Sequence, residues 1–548
     1  SPLKTAFLGK TLSGPFTIPS GIVSCSASII QRVFDTIPEV GVLTTKSIGP
    51  QPRLGYREPI LTQTEPGSLG NAVGLTNPGA ERAAEMMSRL DIPEDRFLLI
   101  SIFGGSVEEY VAVAKLLAPH GDGLELNLSC PHAKGYGMAM GQDPDLVREI
   151  VSTVKAAVSI PVVPKLTPNV PNIDEIARAA VEGGADAICA INTMGPESFQ
   201  AHGHPILSNG KGGVSGKAIL PTALRCVQEI QSSVDCPIIA CGGISSAANV
   251  REFQSVGACI IGIGSALIGM TTHEIADYFK VLSKDLETGT EHAEELVRYD
   301  IDMSFKPVSL VRNTRITDDI CILRFDRKID IQAGQFVFLW IPGLGEKPFS
   351  ALTDDPFSLV IINLGEFTNA LMTVEPGIEA YVRGPHGNAV APPNGARIIA
   401  VAGGTGLAAM YQLARDFGNT EIFMGARSEE RLYFIDECDA VSTLHIATDD
   451  GSRGHHGVLT ELLEQRLNEL PANELENLVF YNCGPAPMVH AAEAVQRKFC
   501  APEQIFNAID YLTKCGVGIC GACDAPDGRR LCVDGPFLGA VDQGPLNK

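Results

Sequence analysis

The sequence predicts an α/β protein that opens with a (β/α)8 TIM-type barrel. An antiparallel β-barrel, an α/β nucleotide-binding domain and a small cysteine-bearing tail follow it. Three observations carry this prediction. Short apolar runs alternate with amphipathic helical stretches over the first half, turn-punctuated β-rich segments replace them after about residue 304, and the α/β alternation resumes near 396. The expected boundaries are 1–288, 304–393, 394–508 and 509–548.

In the first region the runs include VLTTK near 43–47, FLLISIF (97–103), LELNL (124–128), VVPKL (162–166), AICAIN (187–192), PIIACGG (237–243) and CIIGIGSA (259–266). Continuous apolar strands of this kind are parallel and covered on both faces by helices, here VEEYVAVAKLLAPH, DPDLVREIVSTVKAAV and IDEIARAAVEGG. Lys46, Asn127, Lys165, Asn192, Gly242 and Gly264 all fall at the C-terminal ends of their strands, the face on which barrel active sites are built. The charged stretch TGTEHAEELVRYDID then reads as a linker. ICILRFD, GQFVFLWIPG, PFSLVII and EAYVRGPHG have the alternation and turns of a small antiparallel barrel. RIIAVAGGTG, TEIFMGAR, STLHIATDD and LVFYNCGP return to strands feeding helices.

Composition excludes several classes. Lys and Arg total 42 against 64 Asp and Glu, a net charge of −22, so neither nucleic acid nor an anionic membrane is expected as the main partner. No run approaches 18 apolar residues, and the opening SPLKTAFLGKTLSGPF lacks the apolar core of a signal peptide, so a cytoplasmic location is expected. Most of the fifteen cysteines sit in apolar runs, as Cys189 and Cys241 do, and read as small buried hydrophobes.

The tail differs. Cys515, Cys520, Cys523 and Cys532 are spaced C-x4-C-x2-C-x8-C among glycines, whose opening is the plant-type spacing of a [2Fe–2S] cluster. Zinc more often takes paired C-x2-C knuckles, and incidental cysteines are the third reading. In AVAGGTGLAAM a strand runs into Gly403, Gly404 and Gly406 and then a helix, presenting a helix N-terminus to a diphosphate. The sequence is not a full G-x-G-x-x-G, but Cys483 and Gly484 end a later strand on the same edge. Lys347 and the hydroxyls of Ser350 and Thr368, in EKPFS and GEFT, are candidates for a second diphosphate, although turn residues look the same.

In the barrel, Lys46 and Ser47, Asn71 to Leu75, Asn127, Cys130, Lys165, and Asn192 with Thr193 converge on one mouth. Asparagine amides can meet both the carbonyl and the N–H edge of a flat pyrimidine, and unpaired polar groups there would be costly. GGIS and GIGSA supply glycine-rich loops after the last two strands, where barrels hold a phosphate, and an FMN fits that geometry.

Residues 1–285 resemble a class 1 dihydroorotate dehydrogenase of the type that works with an iron–sulfur flavoprotein partner, through TKS, NAVGL, NLSCP, KLTPN, INT, GGVSG and GGI in order. Residues 305–548 resemble that ferredoxin reductase-like partner through KPFS, RGPHG, GGTG, CGP and the four cysteines, so the two appear fused. The resemblance implies Cys130 as catalytic base. It implies Ser20, Lys46, Ser47, Ser101, Asn127, Lys165, Ile191, Gly216, Gly242, Gly243, Gly264 and Ser265 around FMN. The pyrimidine would lie against Lys46, Asn71, Ala72, Val73, Gly74, Leu75, Asn127, Asn192 and Thr193, with the backbone N–H groups of Asn71 to Leu75 suited to its carboxylate. FAD would lie on Lys347, Pro348, Phe349, Ser350 and Thr368, where Lys347 replaces the family's usual Arg and loses its bidentate contact. NAD+ or NADP+ would take Gly403, Gly404, Gly406, Cys483 and Gly484, and the four cysteines would hold the cluster.

The expected reaction is oxidation of dihydroorotate to orotate, with electrons passing from FMN to the cluster, to FAD and to NAD+. His132 departs from many dihydroorotate enzymes and matches the SCPH of dihydropyrimidine dehydrogenases, so NAD(P)H-driven reduction of uracil, thymine or another ring is the nearest alternative. A reductase for a protein acceptor is the alternative from another class. Arg427 and Arg431 are candidates for a 2′-phosphate or are surface charges, and the family favours homodimers or larger homo-oligomers.

Overall fold

A computed structural model of the chain describes residues 3–128, 138–509 and 512–543. Two compact units emerge. One comprises Ser1–Met303 with Val517–Arg529, the other Ser304–Gly516 with Arg530–Lys548.

The first unit is built on a closed barrel of eight parallel strands: β1 (Phe16–Ile18), β2 (Val40–Thr44), β3 (Phe97–Ile102), β4 (Gly123–Asn127), β5 (Val162–Leu166), β6 (Ile188–Ala190), β7 (Ile238–Ala240) and β8 (Ala258–Gly262). They neighbour one another in chain order, as repeated right-handed β-α units require. Every residue of β2, β3, β4 and β5 is buried, which explains why these runs are apolar rather than alternating. Val42, Leu99, Val163, Cys189, Ile239 and Ile260 fill the interior together with Phe7 and Leu12. The last two come from the hairpin Thr5–Phe7/Lys10–Leu12. Lys10 reaches the residues that precede β3 and β4, bonding the Arg96 carbonyl and Asp122, so this hairpin closes the N-terminal end of the barrel.

Helices pack outside on their apolar stripes. In Pro144–Ala157 the buried residues are Val147, Ile150, Val151 and Val154, one face at helical spacing, after a proline in the first turn. Ser106 caps Val107–Leu117, and a Thr271–Glu274 capping box opens Thr272–Thr288.

One feature of the barrel was not expected. Leu61–Glu65, Ser68–Asn71, Gly212–Gly216 and Met194–Glu197 form a four-stranded antiparallel sheet at the C-terminal side of the strands, pairing Asn71 with Gly213 and Ser68 with Gly216.

The second unit begins with two four-stranded antiparallel sheets sharing one apolar core that includes Leu323, Leu339, Leu359 and Val382. The expected antiparallel barrel is thus built as two sheets. A seven-stranded sheet follows, parallel from His455–His456 through Thr443–Thr448, Thr420–Ala426, Arg397–Gly403 and Leu478–Gly484 to Ile505–Ile509. Leu538–Gly539 adds an antiparallel edge. Among the described residues no helix is long and apolar enough to cross a membrane.

Candidate active site at the barrel mouth

The C-terminal ends of the strands surround a cavity. Of the described residues expected at the flavin and the pyrimidine, all but Ser101 and Ala72 line it. Cys130 and His132 lie outside the described residues. Ser101 stands directly behind the wall, its hydroxyl 2.7 Å from that of Ser47.

Hydrogen bonds order the polar wall. Asn127 donates to the Ser47 hydroxyl at 3.0 Å, Asn192 Nδ2 lies 3.5 Å from Asn127 Oδ1, and the Thr193 backbone N–H donates to Asn192 Oδ1 at 2.8 Å. Register explains the first part, since Asn127 on β4 stands beside Lys165 on β5. Tyr110 was not anticipated; its hydroxyl donates to the Asn127 carbonyl at 2.7 Å and fixes the strand end from the helix behind. Asn169 was missed as well, and bonds the Thr193 carbonyl (3.2 Å) and the Gly195 N–H (3.0 Å).

Two ammonium groups face the cavity. No carboxylate among the described residues lies within 4 Å of Lys46 Nζ, and Lys165, only 6% exposed, makes no hydrogen bond to a described residue. Burial works against the Lys165 charge, but Glu125, followed by Cys189 and Cys241, outweighs it and holds the pKa above the ordinary lysine value. Glu125 is buried in the barrel interior with Oε1 lacking a hydrogen-bond partner. The Cys189 and Cys241 sulfurs, 3.8 Å apart, complete this buried group. A buried ammonium with no hydrogen bond to a described residue fits the electron-rich edge of a flavin. Gly216 and Gly243 fit the phosphate end: a Cβ on Gly216 would stand 2.1 Å from the Gly67 carbonyl oxygen, and one on Gly243 2.4 Å from that of Gly216. Only bare backbone passes there, at positive φ.

The stretch 71–75 differs from expectation in one respect. The Ala72 N–H is spent on the Ile60 carbonyl at 2.9 Å, and Ala72 is fully buried. Asn77 holds the stretch from behind, donating to the Leu75 carbonyl at 2.8 Å and accepting from Gly49 and Gly79.

Part of the tail reaches this cavity. Ile519 and Cys520 line it, the Ile519 carbonyl accepts from Val23 N–H at 2.8 Å, the Val517 carbonyl from Gly269 N–H at 2.7 Å, and the Cys520 carbonyl from the Cys25 thiol at 2.9 Å. Cys515, Cys523 and Cys532 are buried. Among the described residues no three His, Cys, Asp or Glu side chains gather to hold a single metal ion.

A second cavity lies within the second unit, lined by Gly403, Gly404, Gly425, Ala426, Arg427, Asp449, Pro485 and Met488 among others. Gly406, Cys483 and Gly484 stand beside it rather than on its wall. A Cβ on Gly406 would meet the Cys483 carbonyl at 2.2 Å, and one on Gly484 would stand 3.0 Å from the Gly403 carbonyl. Arg431 is already committed, making a bidentate pair with Asp319 at 2.9 and 3.0 Å, whereas Arg427 is exposed. Lys347, Pro348 and Phe349 lie on the strand Gly345–Phe349 and Ser350 follows it, all half-buried. The Thr368 hydroxyl accepts the Leu364 and Gly365 N–H groups at 2.8 and 3.0 Å and so belongs to its own turn.

Comparison with known proteins agrees with this division. The dihydroorotate dehydrogenase family profile matches residues 2–283, and an oxidoreductase NAD-binding domain profile matches residues 400–494. The catalytic subunit of dihydroorotate dehydrogenase B (NAD(+)) from Methanocella arvoryzae is 44% identical over 262 residues, 47% of this chain and 85% of that protein. The same subunit from Pyrococcus horikoshii is 42% identical over 268 residues, 48% of this chain and 86% of the relative. That from Methanocaldococcus jannaschii is 40% identical over 273 residues, 48% and 87%.

Proposed function

The chain belongs to the dihydroorotate dehydrogenase family, and from that premise we propose that it oxidises dihydroorotate to orotate and delivers the electrons to NAD+ within one polypeptide. The observation that carries the reading is the barrel-mouth cavity, where Asn71, Asn127 and Asn192 stand with the ammonium groups of Lys46 and Lys165. A dihydropyrimidine ring presents alternating carbonyl and N–H groups, which amides match in either sense. Lys46, with no carboxylate of the described residues within 4 Å, is a countercharge for a carboxylate on the ring, which favours dihydroorotate over dihydrouracil.

Ser20, Ser47, Asn127, Lys165, Ile191, Gly216, Gly242, Gly243, Gly264 and Ser265 would hold FMN, and a bound flavin would supply a hydride acceptor. The protein's own part is to hold the ring and move a proton. Cys130 follows Asn127 in NLSCP and takes the proton from C5 of the ring. An ordinary thiol titrates near pH 8.5, so a neighbouring cation that favours the thiolate assists this step, and Lys46 is the candidate. In the second half, Lys347 to Ser350 would meet FAD and the Gly403–Gly404 turn NAD+, while Cys515, Cys520, Cys523 and Cys532 provide the donor set of a [2Fe–2S] cluster. The catalytic and electron-transfer parts would thus be one fused chain.

Cys130→Ala tests the base. Dihydroorotate should no longer bleach the flavin of the variant, while NADH still reduces it; bleaching by dihydroorotate at the wild-type rate would remove Cys130 from the mechanism.

A further inference from the structure

The segment that leaves the barrel after its last helix, residues 293–303, is bonded to the loops that carry Gly216 and Gly243. Glu294 is the centre of this contact. Its Oε1 pairs with Lys217 Nζ at 2.9 Å and its Oε2 accepts from the Ser245 hydroxyl at 2.7 Å, while the Tyr299 hydroxyl donates to the same carboxylate. Lys217 follows Gly216 directly, and Ser245 is two residues beyond Gly243. One carboxylate therefore ties two separate glycine loops of the cavity wall to each other.

The contact is built rather than incidental. Lys217 Nζ also lies 4.3 Å from the centre of the Tyr299 ring, and its backbone N–H donates to the Gly67 carbonyl at 2.9 Å. The Tyr278 hydroxyl holds the Ser245 carbonyl at 2.7 Å. Farther along, Gln63 clasps the segment with two bonds, donating to the Ile301 carbonyl (2.9 Å) and accepting from the Met303 N–H (3.1 Å). Gln63 lies in the sheet over the barrel mouth. The family profile ends at residue 283, before this arm.

We propose that Glu294 is a positioning residue for the flavin phosphate site: by clamping Lys217 and Ser245 it sets the spacing of the two glycine loops, and it couples docking of the 293–303 arm to flavin binding. The proposal rests on the reading of the cavity as an FMN site. Coupling of this kind is reciprocal. If the docked arm slows flavin loss, bound flavin must in turn protect the arm.

The test uses the full-length holoprotein, with FMN release followed by fluorescence after dilution, and amide exchange of residues 293–303 compared before and after flavin removal. Glu294→Gln should release FMN about tenfold faster and lose the flavin-dependent protection of the arm. Ser245→Ala, which deletes a single hydroxyl, should fall between it and wild type. Asp300→Asn breaks a different ion pair within the same arm, to Arg298 at 2.8 Å, with neither partner bonded to the glycine loops. It should match wild type in release even if its melting temperature falls as far as that of Glu294→Gln. Wild-type release from Glu294→Gln, in a protein that carries FMN, overturns the clamp alone. A wild-type protein that binds no FMN overturns the flavin reading and the clamp together.

Discussion

Replacing Lys165 with Met removes a buried ammonium that has two separable duties. Toward the interior it is the countercharge of Glu125, which is 1% exposed and has one oxygen without a partner. The two groups make no ion pair within 4 Å and burial itself pushes the Glu125 carboxyl up, so the loss falls below the roughly 3–5 kcal/mol of a contacting buried pair; for a unit of this size each kcal/mol moves the melting temperature by ~2 °C. Toward the cavity, a hydrogen bond from a charged donor is worth about 1.5–3 kcal/mol, or roughly 10- to 150-fold in the dissociation constant of FMN. Lys165→Met should therefore lose both stability and flavin affinity. Adding Glu125→Gln should restore most of the stability, because no buried charge remains, and none of the affinity. Thermal unfolding and titration of the deflavinated protein with FMN read the two quantities independently. If Lys165→Met binds FMN within twofold of wild type while losing stability, the ammonium serves the interior alone and its place at the flavin is refuted.

Two further predictions concern the pyrimidine side and the second unit. A Cβ on Gly213 would stand 2.2 Å from Thr193 Oγ1, so Gly213→Ala should displace Thr193 and raise KM for dihydroorotate about tenfold while NADH-driven reduction is unchanged; an unaltered KM would separate Thr193 from the substrate. Glu421 is 5% exposed; burial pushes its carboxyl up, but His445, Arg466 and Arg397, at 2.8, 2.9 and 2.9 Å, outweigh this and bring the pKa from 4.5 to about 2. A depressed folded-state pKa contributes stability that is present above pH 4.5 and lost as the pH falls toward 2, here about 3 kcal/mol. The stability difference between wild type and Glu421→Gln should shrink across that window, and a difference constant from pH 6 to 2 would contradict the assignment.

The strand ends were legible because a parallel strand buried on both faces has no reason to end in Lys or Asn except at its exposed mouth. Lys46, Asn127, Lys165 and Asn192 therefore stood out from their apolar runs, and the fold brings them to one cavity. The sheet over the mouth was not legible. Its strands are four or five residues long, and pairings such as Asn71 with Gly213 join segments more than a hundred residues apart, which no local period records. The same reason hid Glu294 inside a charged stretch that looked like a linker, and hid the approach of Ile519 and Cys520 to the cavity. Backbone groups were the least readable: the Ala72 N–H, suited by sequence to an anion, is taken by Ile60. Arg431 shows the equivalent limit for side chains, since its partner Asp319 lies 112 positions away.

The most direct test of the proposed reaction is NADH formation by purified holoprotein given NAD+ and dihydroorotate, with dihydrouracil in a parallel assay. NADH should appear with dihydroorotate and not with dihydrouracil, since Lys46 offers a charge that only the first can use. Turnover of dihydrouracil in its place, or NADH from neither compound in a protein carrying its full complement of flavin, would contradict the assignment.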